Sequence, residues 1–273
     1  MRVTVLGASG MLGHVVAQFL AEAGHAIRCP EIRFRAESPD EFLDALQSTR
    51  PEAVVNCIGI RAGATAQLLT ETHVHLVAQA IRRLDAGVRF IQASTDGIFR
   101  PDQPSRRAEE SGDAADDYGR SKWEAERQVI MAGGCAIRCS ILGPELKSSK
   151  SLMEWFLNQR GPVRGFVNHA WNGITTLEWA RICNGLLEAG SPPPVCQPGF
   201  WPAMSKAEVL ELIAEVWDRS VEIRPEAAPE PVHRTLLPNI VCPPLALQLR
   251  NLRIWHATRF AEAAGSSVAG EPA

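Results

Sequence analysis

The chain has 273 residues, a formal net charge of −3 and a hydrophobic content of 45%. This length and apolar content allow a large buried core and suit one sizeable α/β domain with a smaller lobe. The near-neutral charge, with no dense basic tract and no aromatic ladder, argues against a nucleic-acid partner. The first apolar stretch has no basic leader and is interrupted by polar residues and glycine. We therefore expect neither a signal peptide nor a membrane span, and we predict a cytoplasmic protein.

The N-terminal segment predicts a strand, a phosphate-binding loop and a helix. The apolar run Arg2–Leu6 leads directly into a turn with G-x-x-G-x-x-G spacing, and an apolar helical pattern follows. Glycine in such a loop permits the tight turn, lets backbone amides approach a pyrophosphate and lets the helix pack against the strand. The helix N-terminus then faces the anion. We therefore predict a dinucleotide site formed by Gly7, Ser9, Gly10, Met11, Leu12 and Gly13.

Strand-like and helix-like runs alternate through the first half of the chain. Buried strands are predicted at residues 2–6, 26–29, 53–57, 89–93 and 135–138, and helices at residues 11–23, 39–47, 66–84 and 115–131. Such alternation builds right-handed βαβ units, and hence an α/β fold with a Rossmann-type, doubly wound parallel sheet. In sheets of this kind ligands collect at the carboxyl ends of the strands.

The segment after the second predicted strand bears on the choice of cofactor. About 20 residues beyond the glycine loop, an acidic residue would take the ribose hydroxyls of NAD. Here Arg28, Arg33 and Arg35 outnumber Glu31. Guanidinium groups at Arg33 and Arg35 would accept a 2′-phosphate, which favours NADPH. NADH stays open as an alternative, because arginines in exposed loops have many other uses.

Polar residues follow the third and fourth predicted strands. The third strand leads into Asn-Cys-Ile-Gly at residues 56–59, and the fourth leads into Ser94-Thr95-Asp96-Gly97. A hydroxyl at Thr95 would hydrogen-bond a substrate carbonyl while a nearby acid protonates it. The alternative is a turn in which these short polar side chains cap local backbone groups.

The only tyrosine of the chain lies in the run Tyr-Gly-Arg-Ser-Lys, with Tyr118 four residues before Lys122. On a helix these two side chains share a face and can touch. A nearby ammonium favours the phenolate and lowers the pKa of a tyrosine from its usual value of about 10, which makes the phenol a usable proton donor. The spacing alone also arises by chance, so its weight comes from its combination with the glycine loop.

Together these motifs resemble the extended short-chain dehydrogenase/reductases, and in particular the nucleotide-sugar 4-ketoreductases of the dTDP-4-dehydrorhamnose reductase type. The resemblance is strong over the first half of the chain and loose beyond it. It implies that Thr95 orients a 4-keto oxygen, that Tyr118 donates the proton, and that Lys122 tunes Tyr118 and holds the nicotinamide ribose. It also implies cofactor contacts from Cys57, Ile58, Gly59, Cys139 and Ser140, and substrate contacts from Asp96 and Gly97.

One residue departs from this resemblance. Rhamnose-type reductases usually carry a tyrosine directly after Ser-Thr-Asp, and 4,6-dehydratases carry a glutamate there, whereas this chain has Gly97. Elimination of water without that second acid/base group has no evident route, so this absence argues against a dehydratase. A C4 epimerase using Thr95, Tyr118 and Lys122 stays open, and so does a non-catalytic NAD(P)-binding regulatory subunit.

Proline-punctuated sequence beyond residue 143 indicates a substrate-binding lobe. We predict a Rossmann domain at residues 1–143 plus about 165–190, a lobe at about 144–164 plus 191–264, and a flexible tail at 265–273. Ser205 and Glu208 form a capping box that starts a helix in the lobe, and another capped helix begins near Thr176. Trp171 and Asn172 are candidate substrate contacts, with core packing of the tryptophan as the alternative.

The diphosphate of a nucleotide sugar needs cationic partners. Arg234 is our first candidate, ahead of Arg250 and Arg253, while His169 is more typical of a surface or capping residue.

The cysteines are odd in number and scattered, without a C-x-x-C motif, and several lie in apolar runs, so we predict neither disulfides nor a metal site. The cysteines are Cys29, Cys57, Cys135, Cys139, Cys183, Cys196 and Cys242.

The sequence therefore predicts an NAD(P)H-dependent oxidoreductase that reduces the 4-keto group of a nucleotide-linked 4-keto-6-deoxyhexose in deoxysugar or surface polysaccharide biosynthesis. A nucleotide-diphosphate sugar is the expected substrate. The family resemblance leaves a homodimer open, because extended members of this family are commonly dimers.

Overall fold

The computed structural model describes residues 1–60, 63–147 and 149–265, and it describes side chains up to residue 260. The predicted flexible tail at 265–273 lies outside the described residues, apart from the backbone of Gly265.

Short strands and helices alternate along the chain. The strands are β1 (Arg2–Leu6), β2 (Ala26–Arg28), β3 (Ala53–Asn56), β4 (Arg89–Ser94), β5 (Cys135–Arg138), β6 (Ile141–Leu142), β7 (Val163–Phe166), β8 (His169–Trp171), β9 (Ile174–Thr175), β10 (Val195–Cys196), β11 (Pro198–Gly199), β12 (Met204–Ser205), β13 (Ile223–Glu226), β14 (Val232–Arg234) and β15 (Ile240–Val241). The helices are α1 (Gly13–Glu22), α2 (Pro39–Ser48), α3 (Ala66–Leu69), α4 (Leu76–Arg83), α5 (Asp117–Met131), α6 (Leu152–Leu157), α7 (Thr176–Glu188), α8 (Lys206–Val216) and α9 (Leu245–Gly265). A π-helical turn at Thr70–His75 joins α3 to α4, and a 3₁₀ turn at Asp96–Ile98 follows β4.

Six strands form a parallel central sheet in the order β2-β1-β3-β4-β5-β10. The chain moves outward in one direction from β1 to β2, and in the other direction from β3 to β10. The strand order therefore reverses between β1 and β3, where the loops that leave these two strands diverge. That is where a doubly wound sheet offers its ligand crevice. The predicted fold class is confirmed.

The two faces of the sheet follow from the alternation of side chains along its strands. In β1, Val3 and Val5 pack into the core that α1, α7, α8 and α9 cover, while Leu6 packs into the core that α2, α4 and α5 cover. The strands β3 and β5 are buried throughout, as expected for strands covered by helices on both faces. The predicted strands and helices of this half are present with ends that differ by one or two residues, except that the helix predicted at residues 66–84 is divided into α3, a π-helical turn and α4.

The second half of the chain builds a smaller lobe. β8 lies between β12 and β14, β7 pairs with β13, and β11 pairs with β15. The predicted capping box is confirmed at Ser205 and Glu208, where α8 begins. The predicted division into domains remains a prediction, and two strands depart from it: β8 lies in a lobe sheet, and β10 extends the central sheet.

The Rossmann half and the lobe share one hydrophobic cluster, which runs from β1 through α7 to α8 and α9. Within the part of the chain that the structure describes, the helices lack the combination of length and apolar character that a membrane span requires.

Candidate functional site

The glycine loop packs so closely that only glycine fits its first and last positions. Gly7 has φ of +76°, in the left-handed region that favours glycine. A Cβ on Gly13 would lie 2.1 Å from the Gly7 carbonyl oxygen. The Gly10 amide donates to that same oxygen at 2.9 Å, which closes the turn. The predicted glycine loop therefore has the close approach of strand and helix that a dinucleotide fold requires.

The first turn of α1 follows the glycine loop and has no side-chain cap. Leu12 is the N-cap residue, and no side chain caps the first turn. Amides in the first turn of a helix lack partners within the helix and can bind an anion, although the His14 amide already donates to the Gly10 carbonyl oxygen at 3.2 Å. Ser9, Met11 and Leu12, the remaining predicted residues of the loop, lie between β1 and this helix start. The loop thus fits the pyrophosphate of a dinucleotide.

The loop after β3 closes the other side of the crevice. A Cβ on Gly7 would lie 3.0 Å from the Ile58 nitrogen, so the loops after β1 and β3 are in contact. Asn56 shapes this loop, because its Oδ1 accepts from the Ile58 amide at 3.0 Å and its Nδ2 donates to Gln92 Oε1 at 2.9 Å. Burial raises the pKa of the Cys57 thiol, which therefore stays protonated. Cys57, Ile58 and Gly59 lie where an adenosine ribose would be expected.

The other predicted cofactor residues follow neighbouring strands. Arg33 and Arg35 are exposed and lie beyond the carboxyl end of β2, which pairs with β1. A 2′-phosphate on the adenosine ribose would be within this region of the sheet edge. Cys139 is buried and Ser140 half-buried directly after β5, at the nicotinamide end of the predicted site.

The predicted catalytic residues Thr95 and Tyr118 meet at Gly97. A Cβ on Gly97 would lie 3.2 Å from Thr95 Oγ1 and 3.2 Å from Tyr118 Cε1. Glycine is also needed next to the tyrosine, since a Cβ on Gly119 would lie 2.3 Å from the Gly97 carbonyl oxygen. The N-terminus of α5 is therefore pressed against the turn that follows β4, and the two residues that the sequence assigns to one ketone are brought together.

Lys122 is buried under this arrangement. Its side chain is 4% exposed, and Nζ donates to the Ala93 carbonyl oxygen at 2.6 Å. Burial lowers the pKa of Lys122 to about 8, while the carboxylate of Glu126 acts in the opposite direction. The ammonium is therefore held at the end of β4, one turn along α5 from Tyr118.

Asp96 has an unused acceptor inside the site. Its Oδ1 accepts from Thr95 Oγ1 at 3.1 Å, while its buried Oδ2 has no hydrogen-bond partner among the described residues. A buried acceptor without a donor is costly. Asp96, a predicted substrate contact, therefore keeps one carboxylate oxygen without a donor among the described residues.

Beneath the site lies a buried ion pair that sequence reasoning missed. Glu126 and Arg138 are 0% and 1% exposed, and their side chains form a salt bridge. Ser94, the last residue of β4, donates to the same carboxylate. Arg138 also donates to Gln197 Oε1 at 3.1 Å. The pair fixes the end of β4, and therefore Thr95, against α5 and β5. The signal in the sequence was Arg138, a charged residue at the end of an otherwise apolar strand.

The lobe contributes a cavity of about 220 Å³. Trp171 and Arg234, both predicted substrate contacts, line it, and the sequence had not singled out Lys206. Arg234 Nη1 donates to the Phe99 carbonyl oxygen at 3.0 Å, which joins this cavity to the segment after β4. The full lining is Leu152, His169, Ala170, Trp171, Lys206, Val209, Val232 and Arg234.

Other candidates of the second half have structural contacts. Asn172 is buried, and its amide exchanges two hydrogen bonds, of 2.8 and 3.0 Å, with the backbone of Leu236. Arg250 pairs with Glu215, and Arg253 pairs with Asp218. A substrate contact by Asn172 remains a prediction, although its amide is engaged in holding the lobe together.

Among the described residues, no group of three or more histidine, cysteine, aspartate or glutamate side chains is arranged to hold a metal ion. The seven cysteines, all within the described part of the chain, carry free thiols.

Residues 1–145, more than half of the chain, match the sequence model of the RmlD substrate binding domain. The chain belongs to the RmlD family. The predicted family resemblance is therefore confirmed, and the matched region contains the glycine loop, Thr95, Tyr118 and Lys122.

Three similar proteins place this RmlD-family chain among its relatives. Methionine adenosyltransferase 2 subunit beta of Danio rerio is 27% identical over 205 residues, which cover 68% of this chain and 64% of that protein. A probable dTDP-4,6-dihydroxy-2-methyloxan-3-one 4-ketoreductase of Streptomyces antibioticus is 31% identical over 140 residues, 48% of each chain. The matches thus span about half to two thirds of these relatives. The crystal structure of dTDP-4-dehydrorhamnose reductase from Bacillus anthracis in complex with NADP superposes with a TM-score of 0.79 at 15% identity, covering 93% of this chain and 99% of that one.

Proposed function

We propose that this RmlD-family protein is a cytoplasmic NADPH-dependent oxidoreductase that reduces the 4-keto group of a nucleotide-linked 4-keto-6-deoxyhexose, in deoxysugar or surface polysaccharide biosynthesis. The observation that carries the proposal is the convergence of Thr95 and the Tyr118 ring on Gly97, with the ammonium of Lys122 buried below. A hydroxyl, a phenol and an ammonium are the groups that a carbonyl reduction needs at the oxygen of the ketone.

The acid/base roles follow from the hydrogen bonds. Thr95 has one hydroxyl hydrogen, which now points to Asp96 Oδ1. A substrate carbonyl would take that hydrogen bond in its place, and Asp96 would then accept from a hydroxyl of the sugar. Tyr118 would give its phenolic proton to the carbonyl oxygen, and the Lys122 ammonium would stabilise the phenolate that results.

The cofactor assignment has independent support in the glycine loop. The tight approach of Gly13 to Gly7 and the uncapped start of α1 fit a pyrophosphate. Arg33 and Arg35 would hold a 2′-phosphate, which favours NADPH over NADH. When bound, the cofactor supplies the hydride that reduces the ketone carbon. The Bacillus anthracis protein of the same fold was crystallised with NADP.

The substrate class is supported by the cavity of the lobe and by one relative. Arg234 and the half-buried Lys206 place two cations at a cavity that Trp171 also lines, a combination that suits a nucleotide diphosphate. Arg234 is tied to the segment after β4, so the diphosphate would lie between this cavity and Thr95. The Streptomyces antibioticus relative is described as a 4-ketoreductase of a dTDP-linked sugar.

Product analysis tests the reaction type. The protein is incubated with NADPH and a dTDP-4-keto-6-deoxyhexose, and the sugar nucleotide is analysed by mass spectrometry. A reductase adds two hydrogens to the sugar and oxidises the cofactor in equal amount. A C4 epimerase changes neither the mass of the sugar nor the cofactor, and that outcome would refute the proposal.

A second candidate function is a non-catalytic NAD(P)-binding regulatory subunit. The observation that favours it is the longer alignment to methionine adenosyltransferase 2 subunit beta, which extends into the second half of this chain. The contacts of Thr95 and Tyr118 with Gly97, and of Lys122 with Ala93 at the end of β4, argue for catalysis. A protein that binds NADPH tightly, yet turns over no ketosugar, would support the regulatory function instead.

A further inference from the structure

His73 lies at the centre of a hydrogen-bond chain that joins two parts of the site. It belongs to the π-helical turn between α3 and α4 and is 2% exposed. The Ile60 amide donates to His73 Nε2 at 3.2 Å, and His73 Nδ1 lies 2.9 Å from Ser121 Oγ. Ser121 in turn donates to the Tyr118 carbonyl oxygen at 2.8 Å. The chain therefore runs from the loop after β3 to the start of the catalytic helix α5.

These contacts assign one tautomer to the imidazole. Because an amide N–H donates to Nε2, that nitrogen carries no proton, and Nδ1 is the donor to Ser121. A protonated ring would turn an N–H towards the Ile60 amide. Burial and the nearby Lys122 ammonium lower the pKa of His73 to about 3, so the neutral form persists through the physiological range. The imidazole therefore acts as a fixed spacer with an acceptor on one side and a donor on the other.

The same ring also contacts the phenol directly. The centroids of the His73 and Tyr118 rings are 5.8 Å apart, and their planes meet at 77°. Edge-to-face packing of this kind restricts the orientation of an aromatic ring. His73 thus constrains both the backbone and the ring of Tyr118. π-helical turns occur frequently at functional sites, which agrees with its location.

We propose that His73 is a positioning residue. By linking Tyr118 to the loop after β3, it holds the phenol at a fixed position relative to the cofactor crevice. This inference rests on the proposed reductase function. His73 joins the Ile60 amide to the Ser121 hydroxyl, and these two groups belong to different elements. The hydrogen bonds therefore couple the two halves of the site rather than stabilising one helix.

The first test replaces the imidazole with an apolar ring. His73→Phe keeps a ring of similar size and removes both hydrogen bonds. We expect kcat to fall by about tenfold to a hundredfold, the loss typical of a misplaced catalytic group, while KM for the ketosugar stays near that of the wild type. The matched control is His75→Phe in the same turn, because the His75 side chain is 51% exposed and pairs with Glu71. This control retains the wild-type kcat.

A second variant breaks the chain nearer to the phenol. Ser121→Ala removes only the hydroxyl between His73 and Tyr118, and we expect a smaller fall in kcat of about threefold to tenfold together with a displaced pH profile of kcat. If Ser121→Ala keeps the wild-type kcat and pH profile, the inference is overturned. This test applies even if His73→Phe does not fold. A loss of kcat that merely tracks the loss of folded protein, measured by circular dichroism, would overturn it as well.

A readout without substrate separates this inference from the proposed function. Tyr118 is the only tyrosine, so isotope-labelled tyrosine gives a single nuclear magnetic resonance signal that reports the environment of its ring. We expect this signal to move in Ser121→Ala, because that variant keeps the His73 ring, 5.8 Å from the Tyr118 ring, but breaks the hydrogen-bond link to the Tyr118 backbone. A Tyr118 signal identical in wild type and Ser121→Ala would refute the positioning role. A wild type that never oxidises NADPH would refute the reductase alone.

Discussion

Gly97 leaves open the space in which a ketone would meet Thr95 and Tyr118, so filling that space should impair turnover. In Gly97→Ala the added methyl carbon would lie 3.2 Å from Thr95 Oγ1 and 3.2 Å from Tyr118 Cε1, inside the 3.4 Å at which ordinary contact begins. Each neighbour must therefore move by about 0.2 Å or more, and the methyl also takes volume from the substrate.

The expected effect on catalysis exceeds the effect on stability. Small displacements of reacting groups are costly, since about 1 Å reduces rates by about a hundredfold. We expect kcat/KM with NADPH and a dTDP-4-keto-6-deoxyhexose to fall by about tenfold, equivalent to about 1.4 kcal/mol of transition-state stabilisation. Overpacking of one methyl beside an open cleft should lower the free energy of unfolding by at most about 1 kcal/mol.

The assay follows the absorbance of the reduced cofactor, with unfolding in urea measured on the same samples. Gly185→Ala is the matched control, because a Cβ on this glycine of α7 would meet no atom within 4 Å. It should keep full activity and gain about 0.5–1 kcal/mol of stability. Unchanged kcat/KM in Gly97→Ala would refute the placement of the ketone between Thr95 and Tyr118.

Three further predictions test the cofactor loop, the buried lysine and the ion pair below the site. Gly13→Ala places a Cβ 2.1 Å from the Gly7 carbonyl oxygen. We expect the dissociation constant for NADPH, measured by fluorescence titration, to rise by about tenfold or more, equivalent to at least about 1.4 kcal/mol. An unchanged dissociation constant would contradict the assigned loop. The pKa of Lys122 is lowered to about 8, so its ammonium is lost as the pH rises through that value. We therefore expect kcat to fall near pH 8 in a pH–rate profile. A profile that stays flat to about pH 10 would contradict this role of Lys122. Glu126→Ala leaves Arg138 buried without its partner and should cost about 3–5 kcal/mol in urea unfolding. Glu124→Ala, which breaks an exposed pair on the same helix, should cost no more than about 1 kcal/mol, and equal losses would refute the distinction.

The sequence predicted those parts of the site that are coded locally. The run from β1 to α1 carries its strand, turn and helix signals within about twenty residues, and the structure has all three. Tyr118 and Lys122 are one helical turn apart, so their shared helix was predictable once α5 was recognised. The capping box at Ser205 is equally local, and it is present.

The missed parts depend on contacts between distant segments. His73 reaches Ser121 across 48 residues, and periodicity carries no information on such a pairing. β10 has only two residues after a proline run, too short for an alternation pattern, and it joins the sheet through its pairing with β5. The hydrogen bonds between the Asn172 amide and backbone 64 residues away could not be predicted either, and a substrate contact by Asn172 stays a prediction.

The most direct test of the reductase is a comparison of wild type with Tyr118→Phe, which removes the phenol and keeps the ring. Both proteins are titrated with NADPH by tryptophan fluorescence, and oxidation of NADPH is then followed after addition of a dTDP-4-keto-6-deoxyhexose. We expect equal affinity for NADPH, turnover by the wild type, and a fall in kcat of at least about a hundredfold in the variant. A variant that turns over as fast as the wild type would contradict the assignment of Tyr118 as the acid.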